Sequence, residues 1–180
     1  MKKILAKAWQ FVYNNRRRKE AFYVANSFVV NSLTVSNNIL RRANRDRVEI
    51  SPMKLQKLLY LVYARYLYNS GMPLFLNKFE VWQYGPVERE VYNYFRKFRH
   101  KPINAFAKIN GETSMVDEDS PVFSRAFEEV WLKYGSIDAW ELSEMTHEEG
   151  TAWHKMRKIG MWVIGDTEIR EDGKRFFDVA

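Results

Sequence analysis

The stretch from Ser51 to Pro73 constrains this chain more than any other. Ser51-Pro52 puts a hydroxyl at a helix N-cap and a proline at the first helical position, where a missing N–H is harmless. Leu55, Leu58, Leu59, Val62, Tyr63, Tyr66 and Leu67 then recur at helical spacing. Gly71 supplies the stop, and Pro73 cannot continue the helix. So broad an apolar face must be covered by other elements. A chain of 180 residues is long enough to supply them within one domain.

The flanking sequence reads mostly as helix. Ile4, Leu5, Ala8, Trp9 and Val12 predict a short amphipathic helix over 3–15, and the Arg16–Lys19 run follows it. Phe22, Ala25, Phe28, Val29 and Leu33 predict a second helix from Ala21 to about Arg42, with Arg41 to Arg45 as its polar exit. Phe79 to Trp82 is short, aromatic and strand-like. Gly85-Pro86 breaks it, and Pro86 is read as opening a helix to about Phe98, a rigid strand-to-helix corner. Residues 103–116 hold Asn110-Gly111 and read as a hairpin or a loop that pairs with the Phe79 segment. Ser120-Pro121 starts a helix that Gly135 stops. Asp138 and Glu141 resemble a capping box for a helix to Met145, and Thr146 is read as the cap of the next, which contains Trp153 and ends at Gly160. A final segment with Ile169, Phe176 and Phe177 closes the domain. The fold expected is mainly α: a single compact helical domain over 20–180 with a small β-hairpin or short β element, behind a basic amphipathic lead at 1–19.

Charge is concentrated at one end. Residues 1–47 hold eleven Lys and Arg against two carboxylates, a net of +9, and the remainder brings the chain to +7. That asymmetry points to an anionic partner for the N-terminal arm: an acidic protein, a nucleic acid or a membrane surface. No apolar run is long enough for a membrane span, and Lys7 interrupts any signal-peptide core. The absence of cysteine excludes disulfides, thiol catalysis and thiolate metal sites, which fits a cytoplasmic protein.

Little in the chain reads as chemistry. There are three histidines, no Gly-rich phosphate loop and no Gly-x-Ser-x-Gly. His147 and His154 do not have the i, i+4 spacing of a helical zinc pair, so no metal and no cofactor is expected. A lone imidazole at His147 is better read as bonded to a buried carbonyl. Gln56 and Lys57 sit at the edge of the apolar face, where long polar side chains reach backbone groups of a neighbouring loop. Trp82 and Tyr84 alternate and share a face, either as core or as a binding platform. In the lead, Trp9, Phe11 and Tyr13 interleave with cations, a pattern that also suits single-stranded nucleic acid or a membrane surface, both ranked below protein contact.

Several of these signals together resemble the SocA-like antitoxin family, the Panacea domain, found in bacterial and phage genomes. Val24-Ala25-Asn26, Leu55-Gln56-Lys57-Leu58-Leu59-Tyr60, Trp82-Gln83-Tyr84-Gly85-Pro86-Val87, and Leu142 to His147 with Trp153 follow the family's order and spacing over roughly 20–178. The resemblance implies a non-enzymatic protein that neutralises a cognate toxin by direct contact, in one branch as an adaptor to a protease. The alternatives are a phage or mobile-element protein aimed at a host defence factor, and a nucleic-acid binder acting through the lead. Partner contact is expected at Trp9, Tyr13, Arg16, Arg17, Arg18, Tyr66, Tyr68 and Trp82, since aromatics and arginine dominate interfaces. The motif residues Leu55, Gln56, Lys57, Trp82, Tyr84, Gly85, Pro86, Val87, Thr146, His147 and Trp153 are expected to be structural.

Overall fold

Capping residues set most of the helix boundaries. The computed structural model describes residues 30–117 and 120–177. Asn31 accepts from the Leu33 N–H and starts α1 (Ser32–Asp46). Ser51 accepts from the Lys54 N–H and starts α2 (Pro52–Ser70), which ends at Gly71 with φ 71°. A hairpin follows, β1 (Phe79–Trp82) and β2 (Gly85–Glu88). Glu88 caps α3 (Arg89–Phe95), and a 3-10 turn covers Arg96–Phe98. Next come α4 (Pro121–Tyr134), α5 (Ala139–His147) and α6 (Ala152–Lys158). A two-residue strand, β3 (Val163–Ile164), precedes α7 (Asp166–Arg175). The described fold is mainly α with one small antiparallel sheet, ordered β2-β1-β3.

Helix α2 is the axis. It packs against α7, α4, α5, α1 and β2, and every residue from Lys54 to Arg65 is buried. Such a helix needs more than an apolar face, because its polar side chains are enclosed as well and must find partners. They do: Tyr60 donates to Asp172 at 2.5 Å, Tyr63 to Asp166 at 3.0 Å, and Arg65 pairs with Glu129 while donating to the Gly173 carbonyl. These bonds fasten α7 and α4 to the axis. Gly173 is required where α7 crosses α2, since a Cβ there would collide with the Ala64 carbonyl.

Several sequence expectations change. The helix read from Ala21 to Arg42 begins, in the described residues, only at Ser32 and runs on to Asp46, with Ala43 buried rather than in a polar exit. Pro86 does not open a helix. It lies in β2, paired with Val81, and α3 starts three residues later. The Phe79 strand pairs with β2 and with Val163–Ile164, not with 103–116. That loop carries its own bridge, Ile109 to Glu112, and is held by α1: Asn37 spans the Ala107 N–H and carbonyl at 2.7 and 2.9 Å, and Asn38 does the same at Val116. Thr146 lies inside α5 and bonds the Ser143 carbonyl, while Thr151 is the cap of α6. The predicted helix over 3–15, the lead at 1–19 and Val24-Ala25-Asn26 fall outside the described residues.

Candidate functional site

The separate sequence signals meet at the β1–β2 hairpin. Alternate carbonyls along it are each taken by a side chain from a helix. The Trp82 carbonyl accepts the Trp153 indole N–H at 2.9 Å, and the Tyr84 carbonyl accepts the Ser143 hydroxyl at 3.0 Å. The Pro86 carbonyl accepts from Lys57 Nζ at 3.0 Å. The Glu88 carbonyl accepts from Gln56 Nε2 at 3.0 Å, and the Glu88 N–H returns a bond to Gln56 Oε1 at 2.8 Å. β2 is an edge strand, with donors and acceptors on its outer side that need partners. The Gln56 amide, with one donor and one acceptor in a plane, takes the place of a neighbouring strand. Proline is tolerated here because the missing N–H falls on that same outer side.

Gly85 closes the joint. The turn's positive φ, 99°, falls on Gly85, and a Cβ there would lie 2.5 Å from Thr146 Oγ1 and 2.7 Å from Lys57 Nζ. The helices therefore press on the hairpin backbone where only glycine fits. Lys57 is 1% exposed. It makes one hydrogen bond, to Pro86, and no ion pair among the described residues. Burial pushes its amine down from 10.5 to about 7. His147 stacks on Trp153 with ring centroids 4.0 Å apart. Its Nε2 is buried without a hydrogen-bond partner, contrary to the carbonyl bond expected from sequence. Burial, then the positive charges of Lys57 and Arg157, lower its pKa below the ordinary value. Among the described residues no group of three or more His, Asp or Glu is placed to hold a metal ion.

A cleft of about 340 Å³ opens over this joint, between the first turn of α2, the hairpin tip and the end of α3. Met53, Lys57, Trp82, Val87, Tyr92 and Arg99 line it. Trp82 and Tyr92 form one wall, with ring centroids 4.7 Å apart. At the tip, exposed Tyr84 packs beside exposed Trp140 of α5, with ring centroids 6.2 Å apart.

On the other side of β1 from β2 lies a run of exposed apolar residues the sequence did not single out. Ile159 is 66% exposed, Met161 52% and Trp162 82%, with Val163 also exposed. The Trp162 carbonyl accepts from the Val81 N–H at 2.9 Å, which joins this surface to β1 one residue before Trp82. The only signal for it was a run of apolar residues directly after the cationic end of α6, Lys155, Arg157 and Lys158. Glu88 was also passed over. It is buried, caps α3 through the Glu90 and Val91 N–H groups, and accepts from Ser32 and Asn77.

The residues expected to touch a partner are scattered. Trp9, Tyr13, Arg16, Arg17 and Arg18 lie outside the described residues. Tyr66 is half-buried against the core. Tyr68 is half-buried, with the Arg65 guanidinium 5.3 Å from its ring. Trp82 is half-buried in the cleft wall. Leu55, Gln56, Lys57, Gly85, Pro86, Val87 and Thr146 are buried, while Tyr84 is exposed. No helix among the described residues is long and apolar enough to cross a membrane.

Comparison with known proteins turns on this same joint. The family profile described as Antitoxin SocA-like, Panacea domain, matches residues 55–154. That span begins one residue before Gln56 and ends one residue after Trp153, so it encloses every side chain that holds the hairpin. Among curated relatives, Antitoxin SocA of Caulobacter vibrioides (strain NA1000 / CB15N) is 33% identical over 132 residues, which cover 69% of this chain and 69% of the relative. No solved structure matches the chain. With its helix motif, glycine-closed hairpin and Thr-His–Trp segment assembled into one joint inside the matched span, the chain belongs to the SocA-like antitoxin family, as a Panacea-domain protein.

Proposed function

We propose that this chain neutralises a toxin by binding it directly and covering its working surface, without catalysing a reaction. The observation that carries the reading is the run of exposed apolar side chains Ile159, Met161, Trp162 and Val163, tied to β1 by the Val81–Trp162 backbone bond. Apolar side chains left together in water mark interaction sites, and tryptophan is the residue type most often found at their energetic centre. Family membership supplies the class of partner. Residues 1–19 stand in this reading as a basic lead that adds charge to the contact, and the complex forms in the cytoplasm.

The test uses the protein encoded beside this chain's gene. Induced alone, that protein arrests growth. Co-induced with the chain, growth resumes and the two purify as a stoichiometric complex. No rescue, or rescue with no complex, overturns the proposal. A protease-adaptor role would show in the same assay as loss of the toxin instead of its storage in the complex.

A further inference from the structure

We propose that the cleft beside the hairpin is a recognition slot for a protein segment that presents an apolar side chain next to a carboxylate, such as an acidic stretch or chain terminus of the toxin. This rests on the neutralisation reading and specifies its chemistry.

The lining sorts into two halves. Met53, Trp82, Val87 and Tyr92 give apolar walls, and the volume of about 340 Å³ suits one aromatic or branched side chain with its adjoining backbone. The basic lining residues are Lys57 and Arg99, with no carboxylate among them, although the chain has 22 Asp and Glu. Arg99 is exposed, and its guanidinium forms no hydrogen bond or ion pair among the described residues. Its backbone holds φ 55°, a conformation that non-glycine residues adopt at some expense and that often marks a working position. A guanidinium at the rim offers a forked donor pair to a carboxylate. From below, Lys57 contributes a buried amine with one protein acceptor and donors to spare. An incoming carboxylate would find a positive, partly desolvated site, while a basic segment would be repelled. That disfavours residues 1–29 of the chain itself, which carry Lys2, Lys3, Lys7, Arg16, Arg17, Arg18 and Lys19 against Glu20. Trp82 in the slot wall follows Val81, whose N–H donates to the Trp162 carbonyl at 2.9 Å.

The test is a titration of the full chain, followed by the NMR signal of the Trp82 indole N–H. The probes are N-acetylphenylalanine and its uncharged amide. Saturable shifts at Trp82, with the amide about ten-fold weaker, are expected for a charge-assisted slot. Arg99→Gln, an exposed change that leaves the fold intact, should reduce the carboxylate probe to the level of the amide. Equal binding of both probes, or no shift at Trp82, overturns the proposal. Trp82 signals that move with protein concentration alone assign the slot to a second copy of the chain and overturn it as well. Growth rescue without carboxylate selectivity leaves neutralisation standing and removes the slot. Selectivity without rescue leaves a carboxylate site and removes the toxin.

Discussion

At the scale of single residues, Gly85 and Lys57 carry the most information, and each makes a separate prediction. Gly71 and Gly85 both have positive φ, but a Cβ at Gly71 meets open space while one at Gly85 meets Thr146 and Lys57. Gly71→Ala should therefore cost about 1 kcal/mol, the backbone term alone. Gly85→Ala should cost about 3 kcal/mol or more, since a close-packed joint must also shift. Urea unfolding of the pair separates the two terms, and equal losses would mean the helices do not press on the hairpin. For Lys57 the sign follows from proton counting. The folded amine titrates near pH 7 and the unfolded one near 10.5. Between those values the unfolded chain holds a proton that the folded chain lacks, so stability rises with pH. From pH 7 to 9 the wild type should gain about 2 kcal/mol relative to Lys57→Met. The buried Tyr60 and Tyr63 hydroxyls, both raised, do not act until above pH 10, and His147, lowered, acts below 6.5. Parallel stability curves for wild type and variant would show that Lys57 is not held as a desolvated amine.

At the scale of elements, β2 exists because α2 supplies its missing neighbour. Gln56→Leu keeps the side-chain volume but leaves the Glu88 N–H and carbonyl buried without partners. The expected loss is about 2–3 kcal/mol, with faster hydrogen exchange at the Glu88 amide. Unchanged exchange there would show that water or a neighbouring group replaces the amide. The same dependence explains what could be read in the sequence. α2 was readable because its signals are local: Ser51, Pro52 and Gly71 lie at its ends, and the apolar period lies between. Gly85-Pro86 was read as a strand-to-helix corner because proline normally starts helices and leaves strands. Its tolerance in β2 depends on an unused outer N–H position, and that outer edge is satisfied by Gln56 and Lys57, far away in the chain. The Asn37 and Asn38 clamps are equally distant from the loop they hold. The reach of Gln56 and Lys57 to a backbone was foreseen as a type of contact, but the strand that receives it was not.

At the scale of the whole molecule, the fold keeps its core and its exposed apolar surface apart, and this makes binding separable from stability. The core runs along α2, whereas Trp162 stands clear of it just before the edge strand β3. Sequence alone could not distinguish these roles, because an apolar residue looks the same whether it faces α2 or water. Trp82 and Tyr66 were read as candidate partner contacts, with core and surface left open, and are half-buried, while Trp162 went unremarked. Trp162→Glu should therefore leave unfolding free energy within about 0.5 kcal/mol of wild type, as surface changes do. If Trp162 anchors the toxin, the same change should weaken the complex about 30-fold, the scale of a hot-spot loss, and growth rescue should fail. Leu132 is the control, since it is 77% exposed on α4 and absent from the hairpin surface. Leu132→Glu should alter neither stability nor rescue. Equal loss of rescue in both variants would point to a general effect of added negative charge on a chain of net charge +7. Retained affinity in Trp162→Glu would move the contact away from this surface altogether. Loss in Trp162→Glu alone would locate the toxin beside the hairpin, where the cleft can add its own recognition.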